Sequence, residues 1–571
     1  MDEKKQELNN LLQSNQIIIP SYLHYGGISG FHDYGIIGHK IKTKLLEHWR
    51  NTFLFKDEID EIETPAIMPY EILKISGHVD KFTDYVVYDK SGKCFRADHL
   101  VEDYFVKNGM DDKAKQVDSY KAEQLEKFIN DYEMIEMPVK EINKVSEGDE
   151  FLELVKIPVK VQTKNLMFEL PTDKQNPDYM RPELAQGIFV NFSHYKKDLP
   201  FGIAQIGKSY RKEISPQPFT RMREFTQAEI EYFVDPTDKS HSKFNEIKDT
   251  KIILLPSMFQ EKGIPSILIS VADAINKGLI SNQTMGYFLA KIHMFALDIG
   301  LNPERIRFRQ HFPNEMAHYA NECWDLECFV FGNWLECVGC ADRGDYDLRT
   351  HSQIKSFALK RELVEPKKII KLVPKINKAL IGKTFKEDSP KIINFLENIN
   401  DQYREKLLNE GIITYEGLEI TKNMISFEEN EVIERFELFY PHTIEPSFGI
   451  DRLLYSVFVH NYWVREETKP IISLPSILSP YDVAVFHLHN KPETMEITKN
   501  IKHMLIENGF SCYTDNSNTK IGKRYIRADC IGIKKAITVD PGTLEDKQVT
   551  IRDRDSKEQI RVLIVNLLNY L

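Results

Sequence analysis

Arginines and carboxylates recur between Phe201 and Val234, FGIAQIGKSYRKEISPQPFTRMREFTQAEIEYFV, in the pattern of two alternating strands around a polar loop. Side chains alternate between the faces of a strand, so Gln205, Gly207, Ser209 and Arg211 share one face. Arg223, Phe225, Gln227 and Glu229 share one face of the return strand. If the two faces coincide, cations and carboxylates meet on one open sheet surface, which a hydrophobic core would not tolerate unpaired. Guanidinium groups there suit a polyphosphate, because a planar fork makes bidentate contacts and keeps its charge. A salt-bridged surface hairpin would carry the same residues, and this segment alone does not separate the two readings.

Two further segments bear on the choice, YMRPELAQGI from Tyr179 to Ile188 and IEPSFGIDRL from Ile444 to Leu453. Taken singly, Glu183 after Pro182 suits a helix start, Glu445 a surface acid, Ser447 a turn or cap, and Arg452 a paired helix residue. In chain order they say more. Arg211-Lys-Glu213 with its loop resembles motif 2 of the class II aminoacyl-tRNA synthetases, and Gly449-Ile-Asp-Arg452 resembles motif 3. Residues 35–65 resemble motif 1, which builds the dimer interface in that class. Arg181-Pro-Glu183, Glu445-Pro-Ser447 and Arg552-Asp-Arg-Asp-Ser556 are similar to one branch, the glycyl-tRNA synthetases of the archaeal and eukaryotic dimeric type.

The resemblance runs from about Tyr25 to the C-terminus. It implies an α+β fold: a class II catalytic domain, an antiparallel sheet flanked by helices, over residues 1–470, and a C-terminal α/β anticodon-binding domain over 471–571. Insertions are expected at about 97–160 and 350–430. The implied reaction is ATP-dependent activation of glycine, then its transfer to the 3′-terminal adenosine of tRNA(Gly), with Mg²⁺ and a homodimer. Arg211 would meet the α-phosphate and the glycine carboxylate, and Arg452 the γ-phosphate. Glu213 would read the adenine amino group and Arg221 the bent triphosphate. Glu336, with Cys337, would face ATP and Mg²⁺, a hard cation suited to carboxylate oxygen. Lys212, Met222, Arg223, Glu224, Phe225 and Gly449 complete the implied nucleotide set. The glycine pocket would draw on Arg96, Glu183, Phe225, Gln227, Glu229, Glu445, Pro446 and Ser447, several acids around one ammonium. Lys520, Lys523, Arg524, Arg552 and Arg554 are the implied tRNA contacts.

Two alternatives stay open, a class II synthetase for another small amino acid and a non-catalytic paralogue that binds nucleic acid. Glu445-Pro-Ser447 weighs against the first, and the presence of Arg211, Arg452 and Glu183 against the second.

The bulk properties are compatible with this. At 571 residues the chain exceeds one core, so about two to four domains are expected. No apolar run is long enough to cross a membrane, and MDEKKQELNN is too charged for a signal peptide, which predicts a cytoplasmic protein. The net charge of −11 is unexpected for a nucleic-acid binder, but local distribution decides. Lys499 to Arg561 holds 13 Lys and Arg against 9 Asp and Glu. Seven cysteines without a secretory signal argue for free thiols, and Cys337-Val-Gly-Cys340 only weakly suggests zinc.

The elements that must position these residues follow from periodicity. Ile36, Ile37, Ile41, Leu45, Leu46 and Trp49 recur at helical spacing. Residues 97–160 read as mostly helical, Arg435 to Tyr440 as the strand of motif 3, and 449–461 as its helix. From Tyr481 onward strands alternate with helices, the pattern of an α/β layer.

Overall fold

In the computed structural model, described for residues 2–114, 116–117, 120–146, 149–172, 175–465 and 469–571, the polar hairpin lies inside a nine-stranded sheet. Its strands are β1 (Asp60–Glu61), β2 (Phe201–Tyr210), β3 (Glu224–Val234), β4 (Lys251–Leu255), β5 (Ile267–Ser270), β6 (Ile306–Gln310), β7 (Glu322–Val330), β8 (Asn333–Gly344) and β9 (His442–Gly449). They run in the order β5-β4-β6-β7-β8-β9-β3-β2-β1. All pairs are antiparallel except β1 with β2 and β4 with β6.

The register answers the question the sequence raises. Gln205 pairs with Glu229, Gly207 with Gln227 and Ser209 with Phe225, so the two polar faces are one face. It continues across β9, where Gln227 meets Gly449 and Glu229 meets Ser447, and then onto β8 through Gly339 and Ala341. A bulge between Leu326 and Glu327 leaves Cys337 as an extra residue in β8, so Glu336 and Gly339 reach the same face although their numbers differ in parity. Gly207 is required here, because a Cβ would fall 2.3 Å from Arg181 Nη2. Arg181 itself is buried and donates to the carbonyls of Thr64 and Lys208, at 2.8 Å each.

The opposite face of the sheet is apolar and is covered by α1 (Ile36–Trp49), α2 (Gln283–Asp298) and α3 (Ile450–Asn461), with Trp49, Phe53, Phe295 and Phe448 in mutual ring contact. Ile41, Leu45 and Trp49 carry the buried stripe of α1, while Ile36 is exposed. The Asp451 carboxylate ties these layers together. It accepts from Tyr34 OH at 2.5 Å, Lys42 Nζ at 3.0 Å and the Thr226 N–H at 2.6 Å, which fixes the start of α3 against β3 and α1.

Three expectations are corrected. The strand leading into α3 is His442–Gly449, whereas residues 435–439 belong to a long antiparallel ribbon, Leu359–Ile376 with Ile425–Phe439. Pro446 disguised the true strand because proline donates no ladder bond. The paired bridges between β3 and β9 stop at Ser447 and resume at Ile444, leaving the Pro446 position without one. Residues 97–160 are helical only as far as Asp131. Val139–Ser146 and Asp149–Lys156 form a hairpin, and positions 115, 118, 119, 147 and 148 of this stretch lie outside the described residues. The ribbon and three helices between its strands make a separate compact unit over residues 358–440, where 350–430 was expected.

The C-terminal part has β10 (Val483–His487), α4 (Pro492–Glu507), β11 (Cys512–Tyr513), α5 (Ile521–Cys530), β12 (Lys535–Val539), β13 (Gln548–Asp553) and β14 (Gln559–Leu563). Strand order is β11-β10-β12-β13-β14, with the first three parallel. The basic residues implied as tRNA contacts divide here by burial. Arg552 is buried and forms a fork with the Asp529 carboxylate at 2.9 and 2.9 Å, joined by Arg465 at 3.2 Å. Arg554 donates to the carbonyls of Gly532 and Leu474 at 2.9 and 3.0 Å, and Arg524 is 2% exposed. These three arginines are buried and hold the domain together, whereas Lys520 and Lys523 are exposed. Arg552→Ala, which strips the fork from a buried carboxylate, is expected to destabilise the C-terminal domain by about 3 to 5 kcal/mol. Urea denaturation followed by circular dichroism would show the loss, and an unchanged midpoint would refute the structural role.

Candidate active site

The shared polar face of β3, β8, β9 and β7 is the floor of an open cavity of about 220 Å³. Period two places Phe225, Gln227 and Glu229 of β3 on it, with Glu445, Ser447 and Gly449 of β9 and Gly339 and Ala341 of β8. The loop between β2 and β3 supplies Arg211, Glu213, Arg221 and Met222, and the first turn of α3 supplies Arg452.

One end of the cavity is cationic. The Arg211 guanidinium lies between the Phe82 and Phe225 rings, 5.3 Å from each centroid, and Nε donates to the Pro182 carbonyl at 3.3 Å. Arg452 Nε donates to the Thr220 carbonyl at 2.7 Å and Nη1 to the Glu336 carbonyl at 3.0 Å, with the Glu336 carboxylate 3.5 Å away. Both guanidiniums are thus aimed by backbone carbonyls, which leaves their remaining N–H groups for an anionic ligand. Arg221 lies 4.0 Å from the Glu213 carboxylate and 3.3 Å from His99. Among the implied ATP residues, Lys212, Arg223 and Glu224 do not line the cavity. Arg223 donates to the carbonyls of Glu213 and Ser29, Glu224 pairs with Lys208, and Lys212 is exposed.

The other end is acidic and buried. Glu229 accepts from Ser447 Oγ and from the Leu184 N–H, both at 2.8 Å. Glu445 is 3.0 Å from Arg343 Nη1, and Glu183 is 3.7 Å from Arg343 and 3.4 Å from His78. Arg343 also forks onto Asp347 at 2.8 and 3.0 Å, with its guanidinium 3.8 Å from the Tyr319 ring centroid. Gln186 donates to Glu183 at 3.1 Å and Asp347 at 2.9 Å, and meets His351 at 2.8 Å. Pro446 and Arg96 stand outside this lining, Arg96 being held by Asp98 and Asp84.

Burial is hard on all these carboxylates, and their neighbours split them. For Glu183 burial opposes charge, but His78 and Arg343 overcome it and hold its carboxyl below the usual range. Burial and then the charge of Glu183 push Glu229 up. Burial pushes Glu445 up to about 8 against the pull of Arg343, with Glu229 and Glu183 adding. Glu231, fully buried beside them with both oxygens unpartnered, is raised well above its ordinary value by burial and Glu445.

Sequence reasoning missed Arg343, Asp347, Glu231 and Tyr319. The signal for Glu231 was present, two residues beyond Glu229 on the same strand. Arg343 likewise continues the stripe of Gly339 and Ala341.

These geometries meet matching family models. Residues 168–461 match the tRNA synthetase class II core domain (G, H, P, S and T), and residues 482–571 match the anticodon binding domain. The chain is 40% identical to the glycine-tRNA ligase of Methanocaldococcus jannaschii, over 99% of this chain and 98% of that protein. The chain belongs to the glycine-tRNA ligases. It is also 36% identical to the mitochondrial glycine-tRNA ligase 1 of Saccharomyces cerevisiae, over 99% of this chain and 89% of that one. A solved prolyl-tRNA synthetase of Giardia lamblia shares the fold at a TM-score of 0.50 and 11% identity, covering 99% of this chain and 76% of that one. The glycine-tRNA ligase fold of this chain is therefore a class II synthetase core followed by an anticodon-binding domain.

Arg343→Met removes the one arginine among these acids. Glu445, whose folded value near 8 already exceeds the ordinary 4.5, contributes stability that fades as pH rises through that window. Without Arg343 the neighbouring acids shift the same way, so the variant's deficit, about 3 to 5 kcal/mol at pH 8, should shrink by pH 5. Thermal unfolding at the two pH values checks this. A deficit that grows on acidification would refute it.

Proposed function

We propose that the cavity binds ATP at its cationic end and glycine at its acidic end, and joins them. The reaction forms a bond between a glycine carboxylate oxygen and the α-phosphorus of ATP and breaks the bond to pyrophosphate. The glycine carboxylate is already ionised at neutral pH, so no general base is needed. Positioning and charge stabilisation carry the step.

The observation that carries this reading is the charge layout on one sheet face. Arg211 stands at the cationic end, where it would meet the α-phosphate and the glycine carboxylate, and Arg452 is aimed by the Thr220 and Glu336 carbonyls for the far phosphates. Glu336, with its side chain 56% exposed at the cavity edge, fits Mg²⁺, which takes one or two carboxylates together with substrate phosphates. Bound there with ATP, the ion would neutralise charge on the leaving phosphates.

At the acidic end Glu183, Glu229 and Glu445 surround space for one ammonium. Arg343, 1% exposed behind them, keeps enough of these acids charged to attract it. Glycine offers no side chain to read, so selectivity rests on refusing a methyl group, a discrimination of about 1 to 3 kcal/mol. The second step is transfer of glycine to the terminal adenosine of tRNA(Gly), with exposed Lys520 and Lys523 placed for phosphate contacts on the C-terminal domain. A homodimer is supported by apolar side chains left bare along the segment that resembles motif 1, with Ile36 66% and Phe55 75% exposed, and just beyond it, with Ile67 54% exposed.

ATP-pyrophosphate exchange with each of the twenty amino acids is the deciding experiment. Exchange is expected with glycine alone, and Arg211→Ala or Arg452→Ala should lower the rate by about 10² to 10³. Exchange with another amino acid, or with none, would overturn the reading. Sedimentation at micromolar concentration should give a dimer that Phe55→Glu weakens. A monomeric parent protein would exclude the dimer.

A further inference from the structure

We propose that His311, Cys323 and Asp325 form a binding site for a borderline-soft divalent cation of the Zn²⁺ type on the wall of this cavity. All three line it. Their placement is set by backbone. Cys323 and Asp325 are two apart on β7 and so share a face. The His311 N–H donates to the Cys323 carbonyl at 3.0 Å, one step beyond the Gln310 to Trp324 pair, so His311 extends the β6 ladder and stands opposite Cys323. Two adjacent strands of a packed sheet therefore present an imidazole, a thiol and a carboxylate to one point.

The distances suit a metal. One ligand atom from each residue lies within 4.8 Å of the others. Tetrahedral zinc, with bonds of about 2.0 to 2.3 Å, sets its ligand atoms about 3.3 to 3.8 Å apart. Ligation asks the Cys323 thiol to draw nearer and the His311 and Asp325 side chains to part. His311 Nε2 and Asp325 Oδ2 are already 2.6 Å apart, whereas His311 Nδ1 is buried without a partner. The polar contact of Cys323 Sγ is Asp325 Oδ1, at 4.0 Å. An N, S, O donor set favours zinc or cobalt over the hard Mg²⁺ that carboxylates alone prefer. The fourth coordination position opens onto the cavity, as in sites that keep a water or substrate ligand. On binding, the cation replaces the Cys323 thiol proton and any proton held between His311 and Asp325, and these pass to solvent.

The test reads the metal and not the reaction, so it stands or falls apart from the proposed activity. The full-length protein, stripped of metal by dialysis, is titrated with Co²⁺. Thiolate ligation gives a near-ultraviolet charge-transfer band, and tetrahedral geometry gives strong visible bands. One equivalent is expected to produce both, Zn²⁺ to bleach them, and Cys323→Ser to abolish the near-ultraviolet band. Since all seven cysteines are free, a band that persists in Cys323→Ser would assign it elsewhere and overturn the proposal, as would the absence of any band. Asp325→Asn provides a second reading should Cys323→Ser fold poorly. It is expected to raise the half-saturating Co²⁺ concentration at least tenfold, and an unchanged midpoint would also overturn the site.

Discussion

A single buried arginine makes the acidic pocket possible. Glu183, Glu445 and Asp347 all converge on Arg343, with Glu229 and Glu231 beside them, and its guanidinium offsets the charge that burial penalises on Glu183 and Glu445. Desolvation of several like charges is prohibitive, and one compensating cation changes the answer. Because Arg343 is itself pinned by Asp347 and faces the Tyr319 ring, its charge stays in place whether or not a ligand is present. The pocket is thereby short of positive charge by design of its packing, and a small ammonium is the chemistry that completes it.

The nucleotide end works by the reverse arrangement. Arg211 and Arg452 are aimed by neutral carbonyls, with aromatic faces around Arg211 and one exposed carboxylate beside Arg452. Their positive charge is left largely uncancelled toward the cavity. The two ends are held at fixed separation by the ladder joining β3 to β9, and the start of α3 is locked to that ladder by Asp451.

Much of this was legible in the sequence because a strand has period two. The alternation from Gln205 to Arg211 and from Arg223 to Glu229 predicted a common polar face, and the register places those residues opposite each other. Helix α3 was expected from the resemblance to motif 3, and the alternation of strands and helices after Tyr481 from local pattern. What failed was everything that depends on distant partners. Pro446 hid a central strand. Arg343 shares the stripe of Gly339 and Ala341, but its spacing alone does not show that Glu183, Glu445 and Asp347 gather on it. The basic tail was read from its charge count, which does not reveal that Arg524, Arg552 and Arg554 are already spent on Asp529, on carbonyls and on burial. The hairpin at 139–156 was lost in a stretch whose composition looks helical.

The bulge in β8 carries one further consequence. Upstream of Cys337 the cavity is reached by the even-numbered Glu336, and downstream by the odd-numbered Gly339 and Ala341, while Cys337 touches the cavity and turns its thiol to Ser456. The strand therefore changes phase between the nucleotide half and the amino-acid half of the site. Removing Cys337 would restore unbroken alternation with Glu336 and Gly339 two apart and still on one face, so its loss would be felt in the local bend of the strand and in the Ser456 contact, and not in which residues face the cavity.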